Sequence, residues 1–160
     1  MRMKHYQASI KTPFAHLGIS LVDDRLAAIN FIESNNEIKP VDDATVNVCK
    51  QIRQYLENPA LHDSFDIVCA YTGTPFQNRV WRELKNIPSG KVVSYGELAK
   101  RLGTSARAVG NACRNNPIPV VIPCHRVVSA TGIGGYAGDT CGDLLKIKSW
   151  LLQHEAATVD

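Results

Sequence analysis

The sequence predicts an α+β fold: a small N-terminal α/β domain of antiparallel strands plus a helix over residues 1–73, then a mostly helical C-terminal domain over 74–160 with a winged-helix-like helix-turn-helix. Three observations carry this. Two apolar runs, Leu17 to Val22 and Leu26 to Ile32, flank the polar triplet Asp23-Asp24-Arg25, which is a hairpin pattern. Two helix starts of capping-box type, Thr74-Pro75-Phe76-Gln77 and Ser94-Tyr95-Gly96-Glu97, punctuate the second half. Gly103 then separates two short helical patterns by the tight turn of a helix-turn-helix.

In chain order, the two apolar runs predict two antiparallel strands. After a polar loop through Pro40, Asp42 or Asp43 is placed to cap a helix whose positions Val46, Cys49, Ile52 and Leu56 fall near helical spacing, and Pro59 ends it. Phe65 to Tyr71 alternates too weakly for a surface strand and is expected as a short buried one, closed by Thr72-Gly73. This half offers no catalytic cluster. His5, His16 and His62 show no metal-ligand spacing among themselves or with Cys49 and Cys69.

The second half opens with Thr74 as cap and Pro75 at the first helical position, and Phe76, Val80, Leu84 and Ile87 mark the inward face up to Pro88-Ser89-Gly90. After Val92-Val93, Ser94 starts a helix with Leu98, Ala99 and Leu102 inward. Thr104 or Ser105 caps the next, which runs to about Asn115. On this helix Ala106, Val109, Ala112 and Cys113 share one face, while Arg107, Asn111 and Arg114 form a polar stripe at i, i+4 and i+7. The small side chains of Ala106, Ala108, Gly110 and Ala112 let a backbone approach a groove closely and read shape rather than base edges. They would equally let two helices touch. The last helix, about Leu144 to Glu155, turns Leu144, Ile147, Leu151 and Leu152 inward and sets Glu155 on or beside that face. A buried carboxylate there needs a partner, for which His125 and Arg126 are candidates; the alternative is a frayed helix end in water.

Between these helices, Asn116 to Val128 brings a cysteine, a histidine and an arginine to one point. Pro117, Pro119 and Pro123 together with Val120 to Ile122 predict an extended, stiff backbone under Cys124. A rigid support suits a nucleophile. A core strand ending in a buried cysteine is the other reading. The glycine-rich segment Ser129 to Asp139 can bring backbone amides near a ligand, yet it has neither P-loop nor dinucleotide spacing.

Composition narrows the classes of function. Hydrophobic residues make up 44% and charged residues 21%, and no apolar run approaches the roughly 20 residues of a membrane helix. The N-terminal residues lack the apolar core of a signal peptide, and five cysteines without a C-x-x-C pair suggest reduced thiols in a cytosolic compartment. Charge is asymmetric: residues 1–73 hold seven Lys/Arg against nine Asp/Glu, and residues 74–160 hold eleven against six. The basic half is expected to meet a polyanion.

Several motifs in order carry a resemblance. Gly73-Thr74-Pro75-Phe76-Gln77, Val80-Trp81, Ile87-Pro88-x-Gly90, Ser94-Tyr95, Ala106-Arg107-Ala108-Val109-Gly110, Asn116-Pro117-x-Pro119, Pro123-Cys124-His125-Arg126-Val127, Gly135-Tyr136-Ala137-Gly138 and Trp150-Leu151-Leu152-x-x-Glu155 resemble the O6-alkylguanine-DNA alkyltransferase family. The resemblance covers residues 73 to 155 and implies a single-use protein that moves an alkyl group from O6 of guanine to Cys124. It implies His125 as base, acting through a bridging water, Glu155 orienting the imidazole, Tyr95 donating to the guanine ring and Asn116 shaping the active-site turn. Arg107 would enter the base stack of a flipped-out guanine, from a helix set in the minor groove that also carries Ala106, Ala108, Gly110, Asn111 and Arg114. Main-chain groups of Cys124, Val127 and Ala137 would line the guanine pocket and Tyr136 would form its wall. The expected partner is double-stranded DNA containing O6-alkylguanine, met by a monomer in the cytoplasm, or the nucleus of a eukaryote, without membrane, cofactor or metal.

The sequence departs from the family's pattern at Gly138-Asp139 and in a longer approach, Thr140 to Asp143, to the last helix, where Cys141 offers a second thiol. These changes bear on the alkyl size tolerated and on DNA affinity. A non-catalytic alkyl-damage-binding protein is the alternative, but such relatives lack the motif cysteine. A Cys-His hydrolase would need an oxyanion hole that alkyl transfer does not.

Overall fold

A computed structural model describes residues 5–33, 36–136 and 142–156. Three strands, β1 (Ala8–Lys11), β2 (His16–Val22) and β3 (Arg25–Ile32), form an antiparallel sheet in the order β1-β2-β3. The predicted hairpin is β2-β3. Asp23 and Asp24 both take positive φ, 51° and 62°, and Val22 pairs with Arg25, so the turn is the two-residue primed type that matches strand twist. β1 adds a third strand beyond the two expected; four residues ahead of Pro13 are too few to show a period.

The outer edge of β3 holds two later stretches of the chain. Leu26 N–H donates to Val68 O and Leu26 O accepts from Ala70 N–H, both near 2.9 Å, giving one parallel bridge between Leu26 and Cys69. The expected buried strand at 65–71 is thus a single bridge within an extended segment. Its burial alternates cleanly, with Phe65, Ile67 and Cys69 inward and Val68 exposed. Further along the same edge Ile29 N–H donates to Pro117 O at 3.0 Å, which anchors the stretch leading to Cys124 to the sheet.

Helix α1 (Asp43–Glu57) is capped by Asp42, whose carboxylate accepts from Thr45 N–H at 2.8 Å. Its inward stripe is Thr45, Val48, Cys49, Gln51, Ile52 and Tyr55; Val46, expected inward, is exposed because the helix phase is set by Val48, Ile52 and Tyr55. Helix α2 (Pro75–Leu84) has the complete Thr74/Gln77 capping box. Its Trp81 Nε1–H donates to Ala112 O at 2.8 Å. A short strand β4 (Val93–Ser94) leads to helix α3 (Tyr95–Leu102), capped by Ser94 accepting from Glu97 N–H. Gly103 sits at φ 68°, and helix α4 (Ala106–Arg114) comes next with Ser105 as its cap. Val109, Ala112 and Cys113 of α4 are buried, whereas Ala106, expected on the same face, lies exposed in the first turn.

The largest departure is at Asn116 to Cys124, which is compact rather than extended. Asn116 Oδ1 accepts from Ile118 N–H at 2.9 Å, and its Nδ2 donates to Ile122 O at 2.8 Å. This side chain replaces strand partners and closes a turn in which Ile122 N–H reaches Ile118 O and Val120 takes φ 75°. A positive φ at a buried β-branched residue is strained backbone, held by the surrounding packing. Cys124–Arg126 form a 3₁₀ turn that runs into strand β5 (Val127–Val128), parallel to β4. Helix α5 (Asp143–Ala156) closes the fold with Ile147, Lys148, Leu151 and Glu155 inward.

Candidate active site

Cys124 ends up buried because its turn is enclosed on several sides: Pro117 hydrogen-bonds to β3, Trp81 ties α2 to α4, and α5 packs against the 3₁₀ turn. In a turn of three residues per revolution, consecutive side chains point roughly 120° apart. Cys124 and His125 therefore leave the backbone in different directions, as they would from a strand. Burial pushes the Cys124 thiol above its ordinary value, and a hydrogen bond from the Asn116 side chain and the Lys148 ammonium pull it part of the way back.

His125 is fully buried, and its Nε2 lies 2.6 Å from Glu155 Oε2. Burial lowers the imidazole pKa and the adjacent carboxylate partly restores it, so the ring is neutral near pH 7. Burial also pushes the Glu155 carboxyl up, but the hydrogen bond from His125 and the charge and hydrogen bonds of Arg126 outweigh it and hold the group well below the usual carboxylate range. A neutral imidazole beside a carboxylate keeps its proton on Nε2 and its lone pair on Nδ1. Nδ1 is buried without a hydrogen-bond partner among the described residues, as is the Tyr136 hydroxyl. The imidazole is thus a base with its acceptor atom available.

Arg126, also buried, donates from Nε and Nη2 to Glu155 at 2.9 and 3.0 Å, and from Nη1 to the carbonyls of Ile87 and Asp63 at 2.6 and 3.2 Å. Both sequence candidates for a Glu155 partner are therefore partners, and the helix end is not frayed. Tyr95 lies in the first turn of α3, with its ring against Gly134, whose φ of 78° sets the loop close to it. Burial and then the nearby thiols of Cys113 and Cys124 push the phenol up to about 12, which keeps it a proton donor at neutral pH.

Tyr136 is buried with its ring 6.1 Å from Phe31 of β3. Val127 N–H bonds to Cys124 O, and Val127 O accepts from Lys148 Nζ. Ala137 lies outside the described residues, as do Gly138 to Cys141 of the departing loop. Arg107, Asn111 and Arg114 are exposed on α4 and, with Ala108 and Gly110, line a surface concavity of about 630 Å³. Among the described residues no group of three His, Cys, Asp or Glu side chains could hold a metal ion, and no helix is long and apolar enough to cross a membrane.

Two site residues were missed from sequence. Lys148 Nζ donates to Val127 O at 2.7 Å and Gly135 O at 2.9 Å, and burial lowers its pKa to about 8, against the pull of Cys124 and Cys113. Its signal was available, since 148, 151, 152 and 155 share one helical face. Tyr55 of α1 donates to Glu155 Oε2 at 2.6 Å. It was legible as an aromatic in an apolar stripe, but nothing local announces where its hydroxyl goes.

Residues 75–157 match the family model described as 6-O-methylguanine DNA methyltransferase, DNA binding domain, which spans just over half of the chain. The chain belongs to this methyltransferase family. A relative from Methanosarcina acetivorans named methylated-DNA-protein-cysteine methyltransferase is 35% identical over 95% of the chain and 99% of its own length. One of the same name from Shigella flexneri is 51% identical over 86 residues, 52% of this chain and 47% of that one. Among solved structures, the O6-methylguanine methyltransferase of Mycobacterium tuberculosis superposes with a TM-score of 0.79 at 31% identity, covering 95% of this chain and 93% of the other. A structure from the same organism described as in complex with DNA gives a TM-score of 0.76 at 32% identity, over 94% and 92%. Both span the N-terminal sheet as well as the part that the family model matches.

Proposed function

We propose that this protein reverses alkylation damage by a single-turnover transfer of the alkyl group from O6-alkylguanine in DNA to Cys124. Membership in the methyltransferase family makes it a methylated-DNA-protein-cysteine methyltransferase and makes DNA its partner. The observation that carries the residue-level reading is the buried line from Cys124 to His125 to Glu155, with Nδ1 of the imidazole left as acceptor.

In this reading the Cys124 thiol gives its proton to His125 Nδ1 through a bridging water, since adjacent residues of the 3₁₀ turn diverge. Glu155 stabilises the imidazolium that forms. The sulfur then attacks the alkyl carbon in line, an S–C bond forms, the C–O6 bond breaks, and its electron pair leaves with guanine. Tyr95, protonated at neutral pH, hydrogen-bonds the departing ring. The thioether product cannot be hydrolysed, so each molecule reacts once.

The guanine must leave the duplex to reach a buried sulfur. The exposed stripe of Arg107, Asn111 and Arg114 beside small residues suits α4 for the minor groove, with Arg107 filling the stack. A division at residues 73 and 74, a monomeric state, and the cytoplasm or nucleus as location belong to the same proposal. Cys124→Ala tests it: the variant is expected to bind a duplex containing O6-methylguanine with unchanged affinity and to remove no methyl group. Methyl removal by that variant would refute the assignment.

A further inference from the structure

The oxygen that receives the imidazole is shared. Glu155 Oε2 accepts from His125 Nε2 at 2.6 Å, from the Tyr55 hydroxyl at 2.6 Å and from Arg126 Nη2 at 3.0 Å. Tyr55 stands on α1, a hundred residues earlier in the chain, is fully buried, and takes no part in the transfer steps assigned to Cys124, His125, Glu155 and Tyr95. Burial and the facing carboxylate raise its pKa far above the ordinary phenol value, so it is always a donor.

We propose that Tyr55 is a positioning residue for alkyl transfer: its hydroxyl clamps Glu155 Oε2 and limits the negative charge that this oxygen presents to His125. The inference rests on the proposed roles of Cys124, His125 and Glu155.

A carboxylate bonded to an imidazole makes it more basic, and every additional donor on the same oxygen takes up part of that charge. Without Tyr55, Oε2 would favour the imidazolium more strongly. The ring would then hold a proton from solvent over a wider acid range and could not accept one from the thiol. The groups that surround the pair are Arg126 and Cys124 from the 3₁₀ turn, Lys148 from α5 and Tyr136 from the glycine-rich segment. His154 packs edge-on against Tyr55, with ring centroids 5.5 Å apart. Arg126 and Lys148 act as charges. Tyr55 is the neutral donor that meets the same oxygen as His125, so removing its hydroxyl changes Oε2 without altering the local charge count. Packing alone would be served by phenylalanine, since the ring already packs at a tilt against Phe65 with centroids 5.4 Å apart.

The test is the single-turnover rate of methyl transfer from an O6-methylguanine duplex, measured across the acid limb of the pH profile, which belongs to the Cys124-His125 pair. Three proteins are compared: wild type, Tyr55→Phe, and the chain with 3-fluorotyrosine at position 55, which keeps the shape and donates more strongly. The midpoint is expected to move up by about one pH unit in Tyr55→Phe, the scale on which a hydrogen bond to a charged group shifts a titration. In the fluorotyrosine protein it is expected to move down. A midpoint unmoved in both, whatever the rates, makes Tyr55 a packing residue and overturns the inference; so does a shift of opposite sign. If Tyr55→Phe fails to fold, the fluorotyrosine protein decides alone. Wild-type protein that repairs the duplex without methylating Cys124 would overturn the underlying reading instead, and the inference with it.

Discussion

Replacing Arg126 by methionine tests how the site is held in place. Arg126 is 1% exposed, and its guanidinium makes two hydrogen bonds to Glu155 and two to main-chain carbonyls, Ile87 O just beyond α2 and Asp63 O in the N-terminal half. Methionine fills similar volume but takes the guanidinium charge and its two donors away from Glu155, while Tyr55 and His125 still face the carboxylate. Removing one partner of a buried pair costs about 3–5 kcal/mol, and the remaining donors place this case at the lower end. Each of the two carbonyls that loses its donor adds about 1 kcal/mol, so the expected loss is roughly 5 kcal/mol, a large part of the 5–15 kcal/mol typical of a domain. Urea unfolding followed by tryptophan fluorescence measures it. Arg126→Lys, which keeps the charge but cannot span both carboxylate oxygens and both carbonyls, should fall between the two. The double variant Arg126→Met/Glu155→Met should be at least about 2 kcal/mol more stable than the sum of the single losses, because an apolar pair tolerates burial where a lone charge does not. A loss under about 1 kcal/mol for Arg126→Met, or additivity within about 0.5 kcal/mol in the cycle, would refute this reasoning.

Lys148→Met should slow methyl transfer at neutral pH, since the ammonium lowers the Cys124 thiol, and single-turnover kinetics would show it. The same variant has a linkage signature: folded Lys148 gives up its proton near pH 8, the unfolded chain only near 10.5, so folding releases a proton in that window and is favoured as pH rises through it. The stability of wild type relative to Lys148→Met should therefore grow between those values in denaturant titrations; a constant difference would refute the shift. Gly134→Ala places a Cβ 3.0 Å from the Tyr95 ring at φ 78°, so it should cost about 1 kcal/mol or more and slow transfer beyond its effect on thermal unfolding. Arg107→Ala should slow repair of a duplex far more than reaction with free O6-benzylguanine, because the role proposed for Arg107, filling the stack, is needed only in the duplex; equal losses in the two assays would place its role elsewhere.

The hairpin, the N-caps of α1 to α4 and the glycine turn between α3 and α4 were legible because each rests on a local rule: a two-residue turn, a side-chain oxygen facing an amide, a left-handed residue. The turn under Cys124 was not, because proline and β-branched residues favour extended backbone and only the bonds of one side chain, Asn116 to Ile118 and Ile122, reverse that preference. Segment 65–71 shows the opposite case: its alternation is real, but its partner is one residue of β3, which no local pattern names. The stripe of α1 is rotated from the expected one because Tyr55 outweighs Val46 in packing. In the site, Cys124, His125, Arg126 and Glu155 were legible as chemistry-bearing types at a meeting point of prolines and a helix face. The partner of the Tyr55 hydroxyl was not, since that contact spans a hundred residues.

The buried thiol of Cys124 is proposed as the place where the alkyl group ends. Wild-type protein incubated with a duplex containing one O6-methylguanine, then digested and mapped by mass spectrometry, should carry one added methyl on the peptide containing Cys124, in one-to-one ratio with repaired DNA. Repaired DNA alongside an unmodified Cys124 peptide, or a methyl on Cys113 instead, would contradict the account.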